Sequence, residues 1–155
     1  MIVNTELEQK GNLFPTNIIK YKKDVDTLYF FTKNNVVLQI TVVRDSVLRF
    51  RYSTTGKFGE DFSYGITKYA SRGYNFLEVS EDNTNYIITT SKLICKVEKE
   101  SLQVSLYDAL DLKLINQDEI GFHWEESYEF GGDIVKMSKI CQKSESFYGL
   151  GDKPV

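Results

Sequence analysis

Residue types that commonly do chemistry are either sparse in this 155-residue chain or have no distinctive spacing. A Ser-His-Asp arrangement could use only His123, the single histidine, and no G-x-S-x-G motif accompanies it. Cys95 and Cys141 lie far apart and lack C-x-x-C spacing, so the sequence predicts no metal site. The 22 acidic residues inevitably contain candidate pairs for acid–base work, so their presence singles out no carboxylate. We therefore expect no catalytic residue, no cofactor and no metal in this chain.

The most distinctive stretch lies near residue 150, where two aromatic residues precede Gly-Leu-Gly, an acid and a proline. The glycines let another backbone or a ligand come close, and Pro154 stops strand pairing because it has no N–H to donate. This pattern is typical of a strand that ends in a tight turn, with an acidic residue directly after it. We expect the two aromatics to anchor the last strand and the acid to lack a fixed neighbour. The motif consists of Phe147, Tyr148, Gly149, Leu150, Gly151 and Asp152.

Composition indicates a single β-rich globular domain over residues 1–155. Hydrophobic residues make up 41% of the chain and aromatic residues 14%, with only two prolines. The formal net charge is −3, so the chain lacks the excess of basic residues that is typical of nucleic-acid-binding proteins. No apolar run approaches the roughly 20 residues of a membrane helix. The first residues lack a basic and apolar leader, which predicts a cytoplasmic location. Both thiols are predicted to be buried and reduced.

Alternation of apolar and polar residues predicts about ten short strands and no convincing helix. A succession of strands and turns of this kind predicts an antiparallel β-sandwich. Residues 1–24 are mixed and polar, and within them residues 11–15 are predicted to form an arm, with Leu13 and Phe14 tucked against the domain. Residues 112–115 are predicted to be a short strand, and residues 134–140 a return strand after a Gly-Gly turn. The predicted core consists of Val36, Leu38, Ile40, Leu48, Phe50, Leu93, Val97, Leu102, Val104 and Leu106.

Two segments rich in aromatic residues are candidates for contacts with a sugar or with another domain. Residues 54–73 are predicted to form a loop, in which glycines are interleaved with aromatics, including Tyr64. Residues 121–133 gather His123, the single Trp124 and three glutamates. We name Trp124 and Tyr64 as the candidate contact residues. The alternative is that these side chains belong to the core.

Three passages resemble the N-terminal β-sandwich of the α-glucosidases and α-xylosidases of glycoside hydrolase family 31. The Phe-Tyr-Gly-Leu-Gly-acid motif is similar to the signature at the end of that domain, and residues 47–52 resemble its hydrophobic-Arg-x-Arg strand. Residues 90–108 resemble its Thr-Lys-Leu strand, hairpin, second strand and Asp turn. The family usually has Gly where Asp111 stands, and we expect Asp111 to tolerate the left-handed conformation there. The resemblance implies a galactose-mutarotase-like sandwich that is followed along the chain by a barrel, and the barrel supplies the nucleophile and the acid.

One principal function and two alternatives follow from this resemblance. The principal one is a non-catalytic N-terminal domain of an α-glycosidase that hydrolyses α-linked glucosides or xylosides. Its partners would be its own catalytic barrel and the carbohydrate substrate, with no nucleic acid and no membrane. One alternative is a stand-alone carbohydrate-binding module that stacks sugar on Trp124 or on the aromatics of residues 58–74. The other alternative is an aldose mutarotase. Mutarotation typically uses a Glu with His partners, and this chain has only one histidine, His123.

Overall fold

The computed structural model describes residues 11–61, 78–127, 131–143 and 145–146. In these ranges the chain is all-β, and it contains no helix that could cross a membrane. The predicted fold class is therefore confirmed over the described part of the chain. The strands are β1 (Ile18–Asp24), β2 (Thr27–Thr32), β3 (Val37–Arg44), β4 (Val47–Ser53), β5 (Glu78–Glu81), β6 (Asn85–Thr89), β7 (Leu93–Glu98), β8 (Val104–Asp108), β9 (Leu114–Ser127) and β10 (Gly132–Lys139).

The strands form two antiparallel sheets in which each strand pairs with its neighbour in sequence. One sheet has four strands in the order β1-β2-β3-β4, and the other has six in the order β10-β9-β8-β7-β6-β5. Register follows the apolar alternation, since Leu38 lies opposite both Phe30 and Tyr52. A slip of one residue would turn this apolar face outward, so burial specifies the register.

The inner faces of the two sheets share one hydrophobic core. The smaller sheet contributes fully buried side chains such as Phe30 and Ile40, and the larger sheet contributes Ile88 and Val97. Of the predicted core residues, Val36, Leu38, Ile40, Val97, Leu102 and Val104 are buried. Leu48, Phe50 and Leu106 are half-buried and pack against this core, and Leu93 is also half-buried. Among the described strands β4 lies at the edge of its sheet, and this position explains the partial exposure of Leu48 and Phe50.

The part of the chain before residue 25 differs from the prediction, which was an arm over residues 11–15 and no strand. Ile18–Asp24 form β1, which pairs only with β2 among the described strands. Little of its surface is buried, so its sequence is polar and lacks the apolar alternation that would have predicted a strand. The segment before it crosses to the other sheet, where Leu13 pairs with Trp124. Asn34 ties this segment to the β2–β3 turn, since its side-chain amide donates to the carbonyl oxygen of Phe14 at 2.9 Å. Phe14 is 48% exposed and is not tucked into the core.

Three further expectations need correction. Cys95 is buried as predicted, but Cys141 is exposed because it follows the end of β10 at the surface. The left-handed residue of the β8–β9 turn is Leu112, with φ of 59°, and not Asp111. The predicted short strand at 112–115 is the beginning of the 14-residue β9, whose polar stretch before Gly121 conceals its continuity.

Candidate functional site

Aromatic side chains form a second cluster where β4 crosses β9. The Tyr52 ring stacks on Phe122 with centroids 4.3 Å apart and planes at 6°, and Phe122 lies 5.8 Å from Trp124. Phe122 and Trp124 share a face because they are two residues apart on one strand. Val36 fills the space beside them, and Leu13 packs from the arm. We call these five residues the aromatic cluster.

Trp124 is a buried member of this cluster, with 7% of its surface exposed. Its backbone is also engaged, because its carbonyl oxygen accepts from Leu13 N at 2.6 Å and its own N–H donates back at 3.0 Å. Burial of the indole favours the core alternative over a sugar-stacking platform. The contact role named for Trp124 stays a prediction. Tyr64 lies outside the described residues, as do Phe147, Tyr148, Gly149, Leu150, Gly151 and Asp152.

His123 points to the opposite face of β9 and is also buried, with 5% of its surface exposed. Phe14 stacks on its ring at 5.4 Å, and its Nδ1 lies 3.1 Å from the carbonyl oxygen of Gly121. Beside it, the Lys136 ammonium donates to Glu125 and to Asn12, at 3.0 Å in each case. The His123 imidazole therefore contributes to packing between the Phe14 ring and the Gly121 carbonyl group, and a substrate would have little access to it.

The described carboxylates do not form an acid–base site of the kind that hydrolyses glycosides. Glu126 and Asp133 face each other across β9 and β10, beside a groove of about 490 Å³ at the hairpin tip. Both are exposed, and Asp133 accepts a hydrogen bond from Thr54 at 2.7 Å. A general acid normally needs an apolar enclosure that raises its pKa. At Asp61 the pKa is instead lowered, because its carboxylate accepts hydrogen bonds from Arg49.

A fully buried carboxylate, Asp118, organises the electrostatics of the interior. It accepts the backbone N–H of Val104 at 2.8 Å and pairs with the ammonium of Lys139. Burial, and secondarily the charge of Asp118, raises the pKa of the Tyr52 phenol and of the Cys95 thiol. Cys95 is therefore held as a neutral thiol, which is a poor nucleophile. The described residues also contain no group of three or more His, Cys, Asp or Glu side chains that could hold a metal.

An uncovered apolar strip borders the aromatic cluster, and the sequence did not single it out. Val135 and Met137 on β10 are 63% and 43% exposed. Together with Tyr52, Phe122 and Lys136 they line a groove of about 280 Å³. The alternation in residues 134–140 predicts a strand with one apolar face, but whether another element covers that face depends on the width of the opposite sheet. The exposure of the strip and the buried position of Asp118 therefore have no local sequence signal.

Comparison with known proteins identifies the fold. Residues 37–155 match the glycosyl hydrolase 31 N-terminal galactose mutarotase-like domain, whereas no curated protein matches the chain. A glycoside hydrolase family 31 dextranase from Flavobacterium johnsoniae, complexed with glucose, superimposes with a TM-score of 0.70 at 21% identity over 91% of this chain. A family 31 α-xylosidase from Xanthomonas citri gives 0.66 at 17% identity over 79%. A cycloalternan-forming enzyme from Listeria monocytogenes, in complex with a pentasaccharide substrate, gives 0.58 at 15% identity over 74%.

These likenesses concern the fold, and they cover only part of the other proteins. This chain spans 17% of the dextranase, 14% of the α-xylosidase and 11% of the cycloalternan-forming enzyme. The family match, in contrast, extends over most of this chain and includes the Gly-Leu-Gly-acid motif. The chain therefore belongs to the family of glycosyl hydrolase 31 N-terminal galactose mutarotase-like domains.

Proposed function

We propose that this chain is the non-catalytic N-terminal domain of an α-glycosidase, in which it supports the catalytic barrel and helps to shape the substrate mouth. The observation that carries the proposal is the family match over residues 37–155, which includes the motif at residues 147–152. The substrates of the parent enzyme would be α-linked glucosides or xylosides. The cytoplasmic location inferred from the sequence stays a prediction.

The chemistry of the described residues supports a non-catalytic role. His123 is buried between Phe14 and a carbonyl oxygen, so its imidazole is not accessible for the acid–base step of a mutarotase. The closely facing carboxylates, Glu126 and Asp133, are exposed on a hairpin. A stand-alone binding module would need exposed aromatic rings for stacking, and Trp124 is buried. Chemistry in the parent protein would therefore come from its barrel.

The proposal is tested by comparing the 155-residue chain with the longer polypeptide encoded by the same gene. Both are incubated with aryl α-glucosides, aryl α-xylosides and dextran, and mutarotation of glucose is followed by polarimetry. We expect no turnover by the 155-residue chain, and hydrolysis by the longer polypeptide that persists in a His123→Ala variant if that variant folds. Turnover by the short chain that disappears on His123→Ala would overturn the proposal. Micromolar binding of oligosaccharides by the short chain, measured by calorimetry, would favour the binding-module alternative.

A further inference from the structure

The strand β1 presents a long edge at one side of the smaller sheet. Among the described strands it pairs only with β2, and six of its seven residues are exposed. Its first residue is held in place, because the N–H of Ile18 donates to the carbonyl oxygen of Lys99 at 2.7 Å. The exposed part includes Ile19 and Tyr21, which are 59% and 44% exposed. Isoleucine and tyrosine favour strands, and an open edge that carries them is a template for pairing with another chain.

Lysine side chains line this edge. Lys20, Lys22 and Lys23 are all exposed. Lys20 and Lys22 point to the outer face of the sheet, because Tyr21 between them packs its ring against Phe30 in the interior. The pairing with β2 also changes register near the start of β1, which bends the edge. Exposed lysines and a bulge are features by which natural sheets protect an open edge.

The spacing of the lysines matters in every register that a second copy of the chain would adopt. Two smaller sheets would join through a two-fold axis, with β1 antiparallel to β1 and with both buried faces on the same side. An alignment centred on Tyr21 then places Lys20 of each copy opposite Lys22 of the other. Alignments centred on Lys20 or on Lys22 place that lysine opposite itself. Each alignment that pairs five or more residues therefore brings like charges directly together, which destabilises a strand pair.

We propose that the lysines of β1 hold this edge open against a second copy of the chain. Pairing of β1 with itself would merge the smaller sheets of two molecules into one sheet, and Tyr21 of one copy would meet Tyr21 of the other. The lysines oppose this association through their charge, so the edge stays unpaired wherever that charge is present and unscreened. The proposal does not rest on the proposed function.

Neutral substitutions test the role of charge. The double variant Lys20→Thr, Lys22→Thr keeps a residue type that favours strands. The control is Lys92→Thr, Lys113→Thr, which removes two exposed lysines that lie outside the strands and changes the net charge equally. Sedimentation equilibrium of the 155-residue chain measures the dimer. We expect the β1 variant to dimerise with a Kd at least about tenfold lower than that of the unchanged chain, and the control to match the unchanged chain. Equal association of all three proteins would overturn the proposal.

Charge reversal separates repulsion from a general effect of substitution. In the variant Lys20→Glu, Lys22→Glu, glutamates face glutamates in the same alignments, so we expect it to be as monomeric as the unchanged chain. In a mixture of the two proteins, glutamate faces lysine in every one of these alignments. A fluorescent label on the exposed Cys141 reports the mixed dimer. We expect the mixture to associate at least about tenfold more tightly than either protein alone. A mixture that associates no better than its components would contradict the proposal.

Salt and hydrogen exchange complete the test. The screening length falls from about 10 Å at 0.1 M to about 3 Å at 1 M salt, so dimerisation of the unchanged chain should strengthen with sodium chloride, and that of the threonine variant should change little. Association of the unchanged chain that salt weakens would overturn the proposal, because Glu78 and Glu81 on β5 would then be attracting the lysines. In the dimer, the β1 amides that point away from β2 should become protected. Protection of these amides in the dilute unchanged chain would show that another segment already covers the edge, and would also overturn the proposal.

Discussion

Replacing Asp118 by Asn and Lys139 by Met, singly and together, is expected to change the free energy of unfolding in a strongly non-additive way. The Asp118 side chain is 0% exposed and the Lys139 side chain 37% exposed. The carboxylate also accepts the N–H of Val104, a residue that is itself 3% exposed. Both side chains belong to the region in which β9 is paired with β10. Removal of Lys139 alone therefore leaves a buried negative charge without its partner, whereas the double substitution leaves no buried charge.

The magnitudes follow from what each variant leaves behind. Lys139→Met leaves a buried carboxylate whose charge is no longer balanced, and we expect it to lower the free energy of unfolding by about 3 kcal/mol. This value is at the low end for a broken buried pair because Lys139 is partly solvated. Asp118→Asn retains an oxygen for the Val104 N–H and loses a charge-assisted bond, at about 2 kcal/mol. The double variant removes both charges and keeps that oxygen, so we expect a loss of about 2 kcal/mol in total. The coupling between the two sites is then about 3 kcal/mol.

Urea unfolding followed by Trp124 fluorescence measures this coupling. Trp124 is the single tryptophan and is 7% exposed, so its emission reports loss of the packed interior. The control is the same double-mutant cycle at the more exposed pair of Lys99 and Glu81, whose side chains are 24% and 57% exposed. There we expect a coupling below about 1 kcal/mol. Additive effects at Asp118 and Lys139, within about 0.5 kcal/mol, would refute the role assigned to the buried pair.

Two further predictions concern the phenol and the thiols of the interior. Burial raises the folded-state pKa of Tyr52 above its ordinary value of 10.0, so its contribution to stability is complete below pH 10 and is lost above it. The free energy of unfolding of the parent chain, relative to Tyr52→Phe, should therefore fall by up to about 1.4 kcal/mol per pH unit above pH 10, and a constant difference would contradict the assignment. Under native conditions an aromatic disulfide reagent should react quickly with the exposed Cys141 and with Cys95 only on unfolding, since Cys95 is buried with a raised pKa. Fast reaction of two thiols in the folded chain would show that Cys95 is accessible.

Much of the fold could be predicted because the chain alternates strongly where both sheets face the core. The β3 and β4 strands place Leu38 and Phe50 inward with period two, and burial then fixes their register. The β1 strand escaped prediction, because Lys20, Lys22 and other exposed residues of an edge strand show no apolar alternation. The continuity of β9 was missed for a related reason. Polar residues and Gly121, with φ of +78°, interrupt its pattern at a register shift against β10.

The candidate site was less predictable than the fold. The sequence drew attention to Trp124 and His123 because each residue type occurs once, and the structure buries both. It gave no signal for Asp118, whose carboxylate is organised by Val104 and Lys139, residues 14 and 21 positions away along the chain. Local pattern cannot reveal such contacts, because they depend on how the strands are paired.

The sequence by itself determined the β class, the alternating faces and the family signature, because these properties reside in residue order and in short-range periodicity. Only the tertiary structure decided which apolar faces are covered. Phe122 and Met137 belong to the same inner face, yet Phe122 is buried under Tyr52 and Met137 is 43% exposed. The physical reason is that burial depends on the relative width of two sheets whose strands are distant in sequence. That relation arises only when the sheets pack together.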